Sequence, residues 1–125
     1  MINYLIVSLG AALGGGFRYW VSNYTYKFLP ATFPYGTLAV NIIGSFILGI
    51  LIFVFDEKEL LTPGLRLFLA VGFCGGFTTF STFSLETINL LKDSQFIPGL
   101  LNIVLNLFLC LTGVVIAYFI SKTWS

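Results

Sequence analysis

Apolar residues run along this chain in long stretches, and the charged positions fall only between them. Uncharged runs cover Met1 to Phe17, Phe28 to Phe55, Leu67 to Leu85 and Ser94 to Ser121. Each is about long enough to cross ~30 Å of hydrocarbon as a helix. The pattern therefore predicts an all-α membrane protein with four transmembrane helices, near Ile2 to Tyr24, Gly36 to Phe55, Leu65 to Leu91 and Pro98 to Ile120, forming one domain over residues 1–125. The first helix ends in Tyr19, Trp20, Tyr24, Tyr26 and Phe28, aromatic residues of the kind that sit at a membrane interface. Pro30 and Pro34 bracket the next loop; Asp56, Glu57, Lys58 and Glu59 close the second helix in water, and Thr62, Pro63 and Gly64 turn the chain into the third.

The third helix departs from the pattern at its centre, where the run from Gly72 to Ser84 holds three glycines and a series of threonines and serines. Such residues make a poor continuous helix. Gly72 and Gly76 alone fit a close packing seam between helices. The whole segment fits a helix broken at mid-membrane, where freed amides and carbonyls must be satisfied by protein, water or an ion. In the fourth helix Asn102, Asn106 and Cys110 follow at steps of four, on one face, and suggest an interior lining.

Composition narrows the function further. Hydrophobic residues make up 58% and charged residues 9%, against roughly 25% charged in soluble domains. The four spans leave no room for an extramembrane catalytic or nucleotide-binding domain. The start of the chain lacks the basic n-region of a cleaved signal peptide, so the first helix is expected to stay. The net charge of +1, with its basic residues scattered, gives no footprint for nucleic acid. Cys74 and Cys110 lie in apolar runs without CxxC or histidine and read as small buried hydrophobes. Without histidine or a pair of intramembrane carboxylates there is no acid–base chemistry, which excludes an enzyme.

Charge also bears on topology. With four spans, Lys58, Arg66 and Lys122 share one side of the membrane and Arg18, Lys27 and Lys92 the other. That balance gives the positive-inside rule no preference. Insertion in both orientations would let two copies pair antiparallel, recreating the inverted-repeat design of larger transporters.

Polar groups within spans are costly and mark function. Arg18 either snorkels to the headgroups or sits in a vestibule that draws in anions. Asn41 carries two N–H donors, able to solvate an anion or to bond across helices. Phe80 and Phe83 share a helical face, as lipid-facing rings or with their positive edges turned into a narrow anion path. Thr78, Thr79, Ser81, Thr82 and Ser84 either back-bond to the preceding turn or donate to a passing ion. Glu86 stands at a pathway mouth or marks the end of the helix.

Three blocks carry a resemblance: GGGFRYW at Gly14 to Trp20, GTLAVNIIGSF at Gly36 to Phe46, and GFCGGFTTFSTFSLE at Gly72 to Glu86. They resemble the Fluc (CrcB) fluoride channels of bacteria, and the size and four-span layout agree over the whole chain. The resemblance implies a dual-topology homodimer in the inner membrane, two antiparallel pathways, passive export of fluoride and rejection of chloride. It places Phe80 and Phe83 as the paired pore phenylalanines, Asn41 as the pore asparagine, and Arg18 as the vestibule arginine. Thr79, Ser81 and Thr82 fall where hydroxyls accompany the pore, and Glu86 at the end of that track. It also implies a structural Na⁺ at the dimer centre, held by backbone carbonyls at Gly75 and Thr78 of both subunits. Asn106 stands where the family commonly has a serine, which loosens the carry-over in the fourth helix.

The resulting expectation is a fluoride channel embedded in membrane lipid. A small proton-coupled multidrug or cation antiporter would need a carboxylate in the middle of the first helix, and there is none. A non-transporting assembly subunit would leave Arg18, Asn41 and the broken third helix without a purpose.

Overall fold

In the computed structural model, residues 1–124 are described, and every regular element among them is helical. Helix α1 is Ile2–Thr25. Helix α2 begins as Tyr35–Gly49 and runs on through a π-helical stretch, Ile50–Asp56. Helix α3, residues 63–77, passes from Pro63–Arg66 through the π-helical Leu67–Cys74 to a final turn at Gly75–Phe77. Helix α4 is Phe80–Lys92 and helix α5 is Phe96–Thr123.

Local chemistry explains the boundaries. The Thr62 hydroxyl accepts from the Leu65 amide at 3.1 Å, with Pro63 in the first turn where its missing N–H costs nothing. The wider π spiral is visible where the Glu57 amide reaches back five residues to the Ile52 carbonyl at 3.1 Å. Helices α2 and α4 both end in a Schellman closure. Glu59 and Ser94 take left-handed backbone, with φ of 58° and 61°. Their amides bond Asp56 and Leu91, and the next amides, Leu60 and Gln95, reach Phe55 and Leu90. Tyr26, just past α1, accepts from the Gly36 amide at 3.1 Å and so ties the start of α2 to the end of α1. Burial holds the Tyr26 phenol above its ordinary pKa, so it remains a neutral partner for that amide.

Three segments are long and apolar enough to cross a membrane: Tyr35–Asp56, Pro63–Lys92 and Phe96–Thr123. The chain is a multi-pass membrane protein. Helix α1 is as long, at 24 residues, but its glycine run, Arg18 and aromatic end make it less apolar.

Helices α1 and α3 pack backbone against backbone. A Cβ on Gly14 would strike the Phe73 carbonyl, and one on Gly76 the Ala11 carbonyl. At Gly72 it would lie 2.7 Å from the Val7 carbonyl, and at Gly10 3.0 Å from the Phe73 amide. Two small residues a turn apart on each helix thus form a seam. Helix α2 meets α5 in the same manner, where a Cβ on Gly49 would come 2.7 Å from Ala117. The seam and the break that the sequence left as alternatives for the third helix are both present. Gly72 and Gly76 build the seam, and the helix ends directly afterwards at two extended residues, Thr78 (φ −88°, ψ 161°) and Thr79 (φ −151°, ψ 118°).

Candidate functional site

The break at Thr78 and Thr79 is held open by Asn41 of α2. The Thr79 amide donates to Asn41 Oδ1 at 2.8 Å, and Asn41 Nδ2 donates to the Thr79 carbonyl at 3.1 Å, so one side-chain amide pairs with both ends of one residue. In a continuous helix the Thr79 amide would bond the Gly75 carbonyl; here Asn41 has taken it. The second Nδ2 hydrogen of Asn41 goes to Asn106 Oδ1 at 3.0 Å. Asn106 in turn donates to the Asn102 carbonyl at 2.8 Å and Asn102 Oδ1 at 3.0 Å. Asn102 donates to Thr87 Oγ1 at 2.9 Å, and Thr87 to the Phe83 carbonyl at 2.8 Å. A single chain of hydrogen bonds therefore links α2, the break, α5 and α4.

This network bears on the two readings of Asn41. Both its N–H donors are engaged by protein oxygens, so in this arrangement it positions the break and offers no N–H to an ion. Asn106 is committed in the same way. Asn102 and Asn106 do line the interior, as their shared face suggested, and both are buried. Thr87 is a member that the sequence reading passed over. Its signal was its place four residues after Phe83, on the same face of α4.

Helix α4 starts at the break. Thr79 caps it, its hydroxyl accepting from the Thr82 amide at 3.2 Å and donating to Thr82 Oγ1 at 3.1 Å, with Ser81 Oγ 3.3 Å away. Thr79, Ser81 and Thr82 thus form one hydroxyl cluster at a helix N-terminus. The other hydroxyls back-bond: Thr78 to the Cys74 carbonyl at 3.0 Å and Ser84 to the Phe80 carbonyl at 2.9 Å. A helix start gathers unpaired amides and positive dipole, which suits an anion.

Beside the break lies a cavity of about 390 Å³. Its wall brings together Asn41, Gly75, Thr78, Thr79, Phe80, Phe83 and Asn106. The two rings lie 5.3 Å apart and tilted by 53°. Phe83 is 9% exposed while Phe80 is 76% exposed, so the second ring faces out of the subunit. The free thiols of Cys74 and Cys110 and the hydroxyl-bearing Ser45 also line this wall. Ser45 was also missed, though it stands four residues after Asn41.

Arg18 and Glu86 are placed elsewhere. Arg18 Nε donates to the Gly76 carbonyl at 3.0 Å, on the α3 side of the break. Its guanidinium is thus fixed at the final turn of α3 instead of snorkelling along α1. Glu86 lies in a separate cavity of about 180 Å³ with Tyr26, Thr32, Asn89 and Asp93, and Thr37 stands beside its carboxylate. One of its oxygens, Oε1, is buried without a hydrogen-bond partner.

Two residues bear on a cation. At Gly75 the carbonyl has lost its ordinary helical donor to Asn41, and a Cβ there would meet nothing within 4 Å. At Thr78 the ordinary donor to the carbonyl would be the Thr82 amide, which bonds Thr79 Oγ1. Among the described residues no cluster of three or more histidine, cysteine or carboxylate side chains is arranged to hold a metal.

Comparison with known proteins places this arrangement. The family described as CrcB-like protein, Camphor Resistance (CrcB), matches residues 5–118. A protein of Sulfurihydrogenibium sp. named fluoride-specific ion channel FluC is 45% identical, across 85% of this chain and 86% of its own length. Proteins of the same name from Ruminiclostridium cellulolyticum and Magnetococcus marinus are 44% and 40% identical, across 98% and 93% of this chain. The match takes in the α1 glycines, the Asn41 segment and the break alike, and the chain belongs to the CrcB family.

Proposed function

We propose that this protein is a fluoride-selective ion channel, not an enzyme, through which fluoride leaves the bacterial cell passively across the inner membrane. The observation that carries this reading is the start of α4. Thr79, which caps α4 and joins the hydroxyl cluster to Ser81 and Thr82, lines one cavity with two phenylalanines, in a chain whose relatives are named fluoride-specific channels. Fluoride is small and strongly hydrated, and entry into an apolar path requires donors to replace its water. Ser81 and Thr82 supply O–H donors, Thr79, whose own proton goes to Thr82, holds them together at the start of α4, and ring edges at Phe80 and Phe83 add weaker positive contacts that hold the ion without trapping it. Arg18, fixed at Gly76, raises the local concentration of anions. Glu86 lies further along the same helix, at the far end of the hydroxyl track.

The working unit in this reading is an antiparallel homodimer of four-span subunits with two pathways. Helix α1 serves as the fourth span because its glycine seam runs along α3, the first part of the Pro63–Lys92 segment that is long and apolar enough to cross. The outward-facing Phe80 and the open space at Gly75 favour a second copy against this face, and the three-against-three balance of basic residues permits both orientations. A Na⁺ at the centre of the pair fits the carbonyls of Gly75 and Thr78, whose ordinary donors are diverted, since a hard cation takes oxygen ligands. It would supply a fixed positive charge that joins the two breaks.

Two experiments test this. Liposomes containing the purified protein and loaded with fluoride or chloride are followed with ion-selective electrodes after addition of a potassium ionophore. Fast fluoride release without chloride release is expected; silence with both ions would refute the channel. Replacing Na⁺ by a large organic cation is expected to slow fluoride efflux and to lower the melting temperature of the dimer by roughly 5 °C. If neither changes, the sodium site is wrong.

A further inference from the structure

The outer face of α1 carries a feature that the ion pathway does not use. Phe17, Trp20, Tyr24 and Phe28 form a ladder along it. Phe17 meets Trp20 edge to face at 6.5 Å, Trp20 stacks on Tyr24 at 5.6 Å, and Tyr24 meets Phe28 at 5.3 Å. The Lys27 ammonium lies 5.6 Å over the Tyr24 ring. At the other end Leu13, Gly16, Phe17 and Trp20 line a groove of about 240 Å³, and a Cβ on Gly16 would meet nothing within 4 Å. The groove is therefore open to the outside and not filled by the subunit.

The chemistry changes along this face in one direction. It begins aliphatic at Leu13 and is floored by a bare glycine. It passes to rings with polar handles, Trp20 and Tyr24, and ends at a cation. Lys27 pairs with no carboxylate among the described residues. Twelve residues of helical rise from Leu13 to Thr25 cover about 18 Å, and the turn that follows carries Lys27, close to the depth of one leaflet with its headgroups. A phospholipid has the same order: acyl chain, ester region, phosphate.

We propose that this face binds one anionic phospholipid, its acyl chain lying over Gly16 between Leu13 and Trp20 and its phosphate at Lys27. The charge decides the class, because a lone ammonium at the interface favours an anionic headgroup over a zwitterionic one by about fivefold. The proposal rests on α1 being the fourth span.

Trp20 reports on its own groove. The chain has two tryptophans, and Trp124→Phe leaves Trp20 alone while keeping the Trp124 carbonyl that accepts from Lys58. This variant is reconstituted in phosphatidylcholine vesicles containing the same mole fraction of either brominated phosphatidylglycerol or brominated phosphatidylcholine. The lipid bound beside Trp20 is expected to be enriched about fivefold in phosphatidylglycerol over the bulk, read as stronger quenching. Lys27→Gln is expected to reduce quenching by phosphatidylglycerol to the level of phosphatidylcholine, and Gly16→Leu to weaken quenching by both. Equal quenching by the two lipids with Lys27 intact, or a preference that survives Lys27→Gln, overturns the site. Absence of quenching by either lipid would refute α1 as a span, and the site with it.

Discussion

Asn41→Leu is expected to reduce fluoride efflux about 100-fold or more. The substitution keeps the branched outline of the side chain but removes the partner of three groups at once: the Thr79 amide, the Thr79 carbonyl and Asn106 Oδ1. Each buried polar group left unpaired costs about 1–3 kcal/mol, and each 1.4 kcal/mol is a factor of ten in population. The Thr79 amide would then return to the Gly75 carbonyl, restoring a continuous helix and dispersing the hydroxyl cluster. Asn41→Asp separates positioning from bulk. It retains an acceptor for the Thr79 amide but turns a carboxylate oxygen toward two acceptors, the Thr79 carbonyl at 3.1 Å and Asn106 Oδ1 at 3.0 Å. It also places a negative charge beside the proposed anion path, and its flux is expected to be lost as well. Liposome efflux of the purified variants measures both, and normal flux in either would remove Asn41 from the site.

Asn41 also marks the limit of what the residues disclose on their own. Its polarity within an apolar run signals a role, and the Gly72 to Ser84 composition signals a break, but nothing in the spacing joins them. The partner of Asn41 is a backbone amide that becomes available only once the helix has ended, 38 positions away. An asparagine read alone offers two donors to an ion; read in place, it has spent both. The Asn102, Asn106 and Cys110 face was legible because a period of four on one helix is a local pattern. Thr87 and Ser45 were not, since a single hydroxyl within a helix is ordinary. The π-helical stretches Ile50–Asp56 and Leu67–Cys74 leave no mark in a uniformly apolar run. Likewise, Glu59 and Ser94 close their helices in left-handed backbone where a glycine would have announced the turn.

Four adjacent substitutions test the seam that holds α1 against the break. Gly14 and Gly15 are neighbours in one helix, and their surroundings are opposite. A Cβ on Gly14 strikes the Phe73 carbonyl and comes 2.9 Å from the Phe77 amide, whereas one on Gly15 meets nothing within 4 Å. Backbone atoms cannot rotate away as side chains can, so Gly14→Ala forces α1 off α3. Separation also stretches the bond from Arg18 to the Gly76 carbonyl, 3.0 Å, and the contact of Phe17 with Phe73 at 5.7 Å. Gly14→Ala is expected to cost about 2 kcal/mol and Gly14→Val about 3 kcal/mol or more. Gly15→Ala, relieved of the glycine penalty within a helix, is expected to gain about 0.5–1 kcal/mol, and Gly15→Val to lie near the wild type. Thermal unfolding of the detergent-solubilised protein reads the order. Matching losses at the two positions would mean that crowding at the backbone is not what makes Gly14 a glycine. Opposite signs would assign the loss to that crowding, on the helix face from which Arg18 reaches the carbonyl of Gly76, whose own Cβ position is blocked by Ala11.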